Sequence, residues 1–425
     1  MPFGYHQGRL HCEGVALEEI AAAAGTPVYV YSAGAMRSRL HALQRAFAGQ
    51  RAMFCYALKA NHNLAVVRLL AGEGAGADTV SGGEVMRALK AGVPPERIVL
   101  AGVAKADEEI RLALASGILQ LNVESVPELR RISAIAQAMG TTASVAIRVN
   151  PDVAAATHDK ISTGRKQDKF GIAYETAPEI YALAASLPGV RPEGLHMHIG
   201  SQITTLEPFE KAYGRGVALF RTLREQGLPM RRLDLGGGFG VRYLHESAID
   251  PEALAALVGR LTAGLDCELL FEPGRYLVAE AGVLVAAVIY VKEAQDRRFV
   301  ILDAGMNTLM RPALYGARHD LLPLREAPAG THLQPADVVG PICESSDVFG
   351  RDYHLPPMAP GALVAFTTAG AYGAVMASDY NSRPAPAEVL VDGGRFDVIR
   401  ERRLPEEQFA GERIPDWLAS GAPAG

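Results

Sequence analysis

Short apolar strands alternate with amphipathic helical segments along the chain up to residue 271. Eight runs have the length and residue types of strands: Ala52–Ala57, Ala77–Val80, Ile98–Ala101, Leu119–Val123, Ser144–Val149, Gly194–Ile199, Arg232–Leu235 and Cys267–Phe271. Helical periodicity fills several gaps between them: Gly83–Ala91, Asp107–Ala115, Val126–Met139, Pro208–Gln226 and Glu252–Thr262. Eight strands spaced by roughly 30 residues favour a parallel (β/α)8 barrel over an open doubly wound sheet.

Polar residues and glycine follow these strands where each one ends. They are Lys59, Asp78, Asn150, His198, Gly236 and Glu272. In a parallel barrel all C-terminal strand ends lie at one rim, where active sites are built. The sequence therefore predicts one site assembled at that rim.

The pattern changes after Arg275. Strand-like runs interrupted by Gly, Pro and Asp replace the helical periodicity: Val283–Val291, Arg298–Asp303, Gly361–Thr367 and Glu388–Asp392. We predict an α/β barrel at residues 32–277, followed by a β-rich domain formed by residues 1–31 and 278–425. The early run Pro27–Tyr31 is expected to add a strand to this second domain.

Composition excludes several classes of protein. The 425 residues are 49% hydrophobic and 21% charged, which is typical of a globular chain. The formal charge of −5 argues against a nucleic-acid partner, because phosphate binding requires a basic face. The four cysteines, Cys12, Cys55, Cys267 and Cys343, are scattered without metal-ligand spacing, so we expect reduced thiols and no metal.

The N-terminal residues lack the basic start and the apolar core of a signal peptide. The apolar stretch Gly282–Val291 is far shorter than the roughly 20 residues needed to span a bilayer. We expect a soluble, cytoplasmic protein with no membrane partner.

Lys59 ends the first strand and opens a polar turn, Ala60-Asn61-His62. An amine held on rigid backbone at a strand end suits a lysine that forms an imine with a carbonyl cofactor. Taken alone, a lysine in this position is more often a solvated surface group. The other motifs decide between these interpretations.

Five residues after the seventh strand, Gly236-Gly237-Gly238-Phe239-Gly240, include four glycines. Loops after strands seven and eight of a barrel commonly hold phosphate, and glycine lets backbone N–H groups approach an anion. A lone glycine cluster is otherwise a flexible turn. Its position in the barrel favours a phosphate site.

Glu272 and His198 carry groups that suit a flat cofactor. A carboxylate at Glu272 could pair with a pyridinium nitrogen, or it could form a surface ion pair with Arg275. The ring of His198 projects inward if it shares one strand face with His196, and it could then stack on a cofactor. A metal site and satisfied core residues are the alternatives for this histidine pair, with no third ligand of suitable type nearby in sequence.

Six motifs together resemble the alanine-racemase-like, fold-type III decarboxylases that use pyridoxal 5′-phosphate (PLP), and among them most of all the diaminopimelate decarboxylases. The motifs are Tyr56–Asn61, Asp78–Glu84, Lys169–Ile172, His198–Gln202, Gly236–Gly240 and Glu272–Arg275. The resemblance extends from Phe3 to about Asp392. It implies PLP-dependent decarboxylation of meso-2,6-diaminopimelate to L-lysine and CO2, the last step of lysine biosynthesis.

The resemblance also implies roles for individual residues. Lys59 forms the imine with the cofactor, His198 stacks on its ring, and Glu272 pairs with the ring nitrogen. The residues expected to bind the phosphate or the cofactor edges are Asp78, Ser201, Gly236, Gly237, Gly238, Gly240, Gly274, Arg275 and Tyr372.

Substrate choice is expected to depend on residues of the second domain. The segment Pro341–Asp347 is similar to the diaminopimelate version of a substrate-binding segment. Meso-diaminopimelate carries an ammonium and a carboxylate at its unreacting end. It therefore calls for an anion, Glu344, and for forked cations, Arg275 and Arg311, with Tyr315 and Tyr372 completing the contacts.

In the family that the chain resembles, the cysteine matching Cys343 comes from the other subunit of a homodimer and acts as the proton donor. A lone cysteine is otherwise a small buried hydrophobe. Two departures lie beside matching motifs: Asp379 replaces a neutral polar residue, and Ala154–Ala156 replaces a more polar stretch.

Three alternatives remain at this point. One is the same chemistry on ornithine, arginine or carboxynorspermidine, which would not need Glu344 together with Arg311. Another is a catalytically silent barrel, which should have lost Lys59 or the glycine loop. The third is a racemase, in which the Cys343-Glu344 pair has no role.

Overall fold

The computed structural model describes residues 2–153 and 170–419. The departure at Ala154–Ala156 and the motif residue Lys169 lie outside these ranges. The chain first forms β1 (Phe3–His6), β2 (Arg9–Cys12), β3 (Val15–Ala16), α1 (Leu17–Ala24), β4 (Val28–Ser32) and α2 (Ala33–Ala46).

Strands and helices then alternate through the barrel. They are β5 (Ala52–Ala57), α3 (Leu64–Gly72), β6 (Gly76–Thr79), α4 (Gly82–Lys90), β7 (Ile98–Leu100), α5 (Asp107–Ser116), β8 (Gln120–Val123), α6 (Val126–Ala138), β9 (Ala143–Asn150), β10 (Ile172–Ala173), α7 (Ala177–Ser186), β11 (Val190–His196), α8 (Glu207–Glu225), β12 (Arg232–Asp234), α9 (Pro251–Leu261), β13 (Glu268–Phe271) and α10 (Arg275–Val278). Helices α2, α3, α7 and α10 were not among the helical stretches named from the sequence.

Eight parallel strands close the barrel in the order β5, β6, β7, β8, β9, β11, β12, β13, and β13 pairs with β5. Aromatic side chains pack together where β13 pairs with β5 to close the barrel: Phe54 stacks on Phe271 with ring centroids 5.4 Å apart. Phe47, directly after α2, packs on both rings from outside. The two-residue strand β10 adds to β9.

The remaining elements are β14 (Gly282–Glu293), β15 (Arg298–Leu302), α11 (Arg311–Tyr315), β16 (Leu321–Pro323), β17 (Gln334–Val339), β18 (Val348–Leu355), β19 (Leu363–Phe366), β20 (Ala387–Asp392), β21 (Arg395–Arg400), α12 (Pro405–Gln408) and α13 (Asp416–Ala419). Strand β14 pairs with β4, β15 and β19, and β4 also pairs with β20. The predicted (β/α)8 barrel followed by a β-rich region is confirmed. The exact division at residues 32–277 stays a prediction.

The sixth barrel strand differs most from its prediction. It runs over Val190–His196, four residues earlier than expected at its start and three at its end. Pro192 and the register shift between Pro192 and Gly194 explain the difference, because proline and a bulge break the simple alternation of a strand. His198 consequently lies in the loop beyond the strand and does not share a strand face with His196.

The predicted rim residues lie at or within two residues of the strand ends: Lys59, Asp78, Asn150, His198, Gly236 and Glu272. Among the described residues, no helix is both long enough and apolar enough to cross a membrane. All four cysteines are free thiols, and Cys343 alone among them is exposed.

Candidate active site

A cavity of about 870 Å3 opens at the C-terminal rim of the barrel. The structure brings most of the sequence-predicted site residues into its lining: Lys59, His198, Ser201, Gly238, Glu272, Gly274, Arg275, Arg311, Tyr315 and Tyr372. A second cavity, of about 920 Å3, lies between the N-terminal strands and α2 and is lined by none of them. The two cavities are similar in volume, but only the rim cavity is lined by the predicted site residues.

Lys59 points into the cavity from the short turn that follows β5. Its Nζ donates to Oδ2 of Asp78 at 3.3 Å, and Asp78 is completely buried on β6. Burial disfavours the ammonium, but the charges of Asp78 and Glu272 outweigh this and raise the pKa of Lys59. Oδ1 of Asp78 has no hydrogen-bond partner among the described residues.

The carboxylate of Glu272 is held from two sides inside the barrel. Asn122 Nδ2 donates to Oε1 at 3.2 Å, and His196 Nε2 lies 3.3 Å from Oε2. Burial opposes ionisation, but the contact with His196 and the charge of Lys59 hold the pKa of Glu272 below its usual range. Glu272 is thus an ionised acceptor in the lining of the cavity.

Asp234 supplies the third ligand-type group that the sequence did not place near the histidine pair. Ligand atoms of His196, Asp234 and Glu272 all lie within 4.8 Å of one another. Burial, with Glu272 beside it, raises the pKa of Asp234 well above its usual value. Hydrogen bonds within the barrel engage both carboxyl groups of this cluster, whereas His196 Nδ1 has no partner among the described residues.

His198 presents a neutral ring beside the glycine loop. The backbone N–H of Gly237 donates to Nδ1 at 3.3 Å, so this nitrogen carries no proton. Burial and the nearby charges of Lys59 and Arg148 lower the pKa of His198 well below its usual value. A flat uncharged ring at this position can stack on another flat ring.

The glycine loop lies directly against the loop that follows β11. The N–H of Ile203 donates to the carbonyl of Gly238 at 2.9 Å, and Gly238 has a φ of +93°. A Cβ at Gly238 would lie 2.3 Å from the carbonyl oxygen of Gly200, and one at Gly237 would lie 2.1 Å from that of Glu272. A side chain at either position would thus collide with backbone, so the chain can approach this closely only with glycine there.

These loops fit a phosphorylated pyridine cofactor. Ser201 Oγ accepts from Arg275 Nη2 at 3.1 Å beside Gly238, which gives a hydroxyl, a guanidinium and a close backbone turn for an anion. Lys59 supplies an amine for an aldehyde, and Glu272 supplies an acceptor for a ring nitrogen. The unpartnered Oδ1 of Asp78 leaves a buried acceptor beside that amine.

Two buried arginines, Arg275 and Arg311, lie beside one tyrosine ring in the lining of the cavity. The guanidinium of Arg311 lies 4.5 Å from the ring centroid of Tyr243, and that of Arg275 lies 5.7 Å from the same centroid. Burial and the charge of Arg275 lower the pKa of Arg311. Arg311 Nη1 also contacts His319 Nε2 at 2.8 Å. Two neighbouring cations of this kind make a site for an anion.

Cys343 and Glu344 do not line this cavity. Cys343 is exposed, and its N–H donates to Asn381 Oδ1 at 3.3 Å. Glu344 Oε1 accepts from the hydroxyl of Tyr380 at 2.6 Å, and the exposed Asp379 directly precedes that tyrosine. The segment that carries both residues therefore faces outward from its own chain.

Sequence reasoning missed several residues of the site. Arg148 and Tyr243 line the cavity, and Gln120, Asn122 and Asp234 lie beneath it. The signal for two of them was present in Gln120-Leu121-Asn122, where polar residues occupy alternate positions of a barrel strand whose inner face is enclosed.

Comparison with known proteins supplies the family. Residues 33–279 match the model described as "Pyridoxal-dependent decarboxylase, pyridoxal binding domain". A diaminopimelate decarboxylase of Zymomonas mobilis is 45% identical over 98% of this chain and 100% of its own length. The chain belongs to the diaminopimelate decarboxylase family.

Solved structures agree with this membership. The Helicobacter pylori diaminopimelate decarboxylase, in complex with L-lysine, is 43% identical with a TM-score of 0.90, over 93% of this chain and 99% of that one. The M. jannaschii diaminopimelate decarboxylase, also with L-lysine, is 37% identical with a TM-score of 0.93, over 98% of both chains. The predicted family, fold and cofactor class are confirmed.

Proposed function

We propose that this chain decarboxylates meso-2,6-diaminopimelate to L-lysine and CO2 with PLP as cofactor, which is the last step of lysine biosynthesis. One observation carries the proposal: a single cavity joins the Lys59–Asp78 amine and the Glu272 carboxylate to a pair of buried arginines. The first two groups suit the cofactor, and the arginines suit a substrate with a second carboxylate.

PLP, when bound, supplies a ring that accepts the electron pair left behind as CO2 departs. Lys59 would provide the amine that holds the cofactor. Glu272 accepts a hydrogen bond from the ring nitrogen, and the neutral ring of His198 stacks on the cofactor face. Ser201 and the Gly236–Gly240 loop would bind the phosphate, the loop through the N–H of Gly238, because the N–H groups of Gly236, Gly237 and Gly240 already donate within the protein.

The remote end of the substrate selects diaminopimelate. Arg275 and Arg311 bind its carboxylate, with the hydroxyls of Tyr315 and Tyr372 completing the contact. Guanidinium groups can grip a carboxylate with two parallel hydrogen bonds, so they fix its position as well as its charge. When the remote end of the substrate is fixed, the bond that breaks at its reacting end is also oriented. These residues therefore increase kcat as well as substrate affinity.

A second copy of the chain completes the site. Cys343 returns a proton to the reacting carbon, and Glu344 pairs with the remote ammonium, both across the interface of a homodimer. Two facts support this: the cavity lacks both side chains from its own chain, and Cys343 is exposed on the outward-facing segment. We also propose that residues 32–277 form the cofactor-binding domain. The enzyme is proposed to be cytoplasmic.

The test is incubation of the purified protein with PLP and meso-diaminopimelate, with L-lysine and CO2 measured together. We expect both products in equal amounts. Ornithine and arginine, which lack a remote carboxylate, should release far less CO2. A preference for ornithine would contradict the substrate assignment, and a protein that binds no PLP would contradict the whole proposal.

A further inference from the structure

A row of hydrogen-bonded side chains crosses the interior of the barrel and ends at Glu272. Arg232 Nε donates to Gln120 Oε1 at 3.0 Å, Gln120 Nε2 donates to Asn122 Oδ1 at 2.8 Å, and Asn122 Nδ2 donates to Glu272 Oε1 at 3.2 Å. All four side chains are at least 90% buried. Arg232 begins β12, at the end of the barrel opposite the cavity rim.

Arg232 fixes which end of each amide side chain in this row donates and which end accepts. A guanidinium has donors and no acceptor, so the atom of Gln120 that faces Arg232 must be its carbonyl oxygen. The amide nitrogen of Gln120 then faces Asn122 and must meet that residue's carbonyl oxygen. Asn122 is left with its amide nitrogen directed at Glu272. Each amide orientation thus follows from the one before it.

Arg232 is itself held firmly. Its Nη2 donates to Glu193 Oε2 at 3.0 Å and to Ser144 Oγ at 2.5 Å. The same row reaches the glycine loop, because Gln120 Nε2 also lies 3.3 Å from Asp234 Oδ2, and Asp234 Oδ1 accepts from the N–H of Gly236 at 3.1 Å. The row therefore touches both the ring-nitrogen partner and the phosphate loop.

We propose that Arg232, Gln120 and Asn122 are positioning residues that keep Glu272 an acceptor toward the cofactor ring nitrogen. This inference rests on the proposed function. With Asn122 Nδ2 donating to Oε1 and His196 Nε2 beside Oε2, Glu272 stays an acceptor at the cavity wall and can accept from an N–H on the ring. Reversal of one amide would turn a carbonyl oxygen toward Glu272 and would favour a proton on that carboxylate instead.

Gln120→Glu reverses the row with almost no change of shape. The new carboxylate keeps the contact with Arg232 but cannot donate to Asn122, so Asn122 must turn its amide nitrogen back and present Oδ1 to Glu272. The probe is a pair of cofactors: PLP and its 1-deaza analogue, in which a C–H group replaces the ring nitrogen. The measurement is the ratio of their apparent dissociation constants on the apoprotein.

The wild type should bind PLP about tenfold more tightly than the analogue, which is the size of one charge-assisted hydrogen bond. Gln120→Glu should bind the two cofactors about equally, and its kcat with PLP should fall roughly tenfold with KM changed by less than about twofold. Gln50→Glu is the matched control, because Gln50 donates to Ala255 O far from Glu272. It should keep the wild-type ratio.

An equal ratio in the wild type and in Gln120→Glu overturns the proposal. If Gln120→Glu does not fold, Asn122→Ala removes the same donor from Glu272 with a smaller side chain, and the same loss of preference is expected. Failure of the proposed function looks different, since the wild type itself would then bind no PLP or form no L-lysine.

Discussion

Nζ of Lys59 lies 3.3 Å from Oδ2 of Asp78, a carboxylate that is completely buried on the neighbouring barrel strand. The amine therefore lies against the buried carboxyl group of Asp78 at the floor of the cavity, and its position is set by two adjacent strand ends.

Lys59→Ala removes the amine that we propose to hold the cofactor. We expect the visible absorbance band of the bound cofactor to disappear and L-lysine formation to fall on the order of 10³-fold or more, since a covalent attachment and a base are lost together. Lys211→Ala is the control, because Lys211 forms an exposed pair with Glu207. A Lys59→Ala protein that retained both the band and the activity would rule out the assignment.

Asp78 should make the apoprotein less stable as the pH rises. Burial and the charge of Glu272 raise its pKa from 3.8 to about 8, while Lys59 opposes the shift. The folded state thus binds a proton that the unfolded state has lost, and this stabilisation decreases between about pH 4 and pH 8, by at most about 1.4 kcal/mol per pH unit.

The measurement for Asp78 is the free energy of unfolding of the apoprotein, by urea, across that pH range. Asp78→Asn should flatten the decrease, because asparagine does not titrate. Asp78 is the main cause of the raised pKa of Lys59, so both proteins carry Lys59→Ala, which leaves no amine at that position to titrate. Parallel curves for the two proteins would contradict the prediction.

Arg311→Leu tests the binding of the remote carboxylate. We expect kcat/KM for meso-diaminopimelate to fall by roughly 10- to 100-fold, with a lower kcat as well as a higher KM, because a charge-assisted contact that orients the substrate is lost. An analogue without the remote carboxylate should lose little. Arg325→Leu is the control, at an exposed arginine paired with Glu18. Equal losses for both substrates would place Arg311 outside the specificity contact.

Mixing two inactive variants tests the shared active site. Lys59→Ala and Cys343→Ala are unfolded together and refolded, so that mixed dimers form. If Cys343 acts across the interface, one of the two sites in each mixed dimer is intact, and activity should recover to at most about a quarter of the wild type. Each variant refolded alone is the control. No recovery, with mixed dimers verified by mass, would mean that both residues act within one chain.

The sequence allowed the barrel to be predicted because its inner strands are short, apolar and evenly spaced. It located Lys59, His198 and Glu272 because polar residues directly after apolar strands are conspicuous. Outer strands such as β17 (Gln334–Val339) were missed, since Pro335 and polar residues disguise them. Their pairing depends on partners distant in sequence, which local patterns do not encode.

The row beneath the cavity could not be predicted for a different reason. Gln120 and Asn122 lie on β8, whereas Arg232 lies on β12 and Glu272 follows β13, and neither of those strands pairs with β8. The hydrogen bonds from Arg232 to Gln120 and from Asn122 to Glu272 therefore form only when the barrel has closed. The position of Cys343 could not be predicted from the sequence either, because the active site that it is proposed to complete belongs to the other subunit. The residue types indicated the chemistry of the site, whereas only the folded structure shows which side chains contact one another.

Strand β4 (Val28–Ser32) leaves the ribosome early, yet both of its neighbours are made late. Tyr31 pairs with Gly282, and Val28 pairs with Ala387, so each edge waits for more than 250 residues of further synthesis. Until then the backbone N–H and C=O groups on both edges of β4 are unpaired. An unpaired apolar strand of this kind can pair with other nascent chains. The central position of β4 in the sheet is therefore filled only when segments more than 250 residues later in the chain have been made.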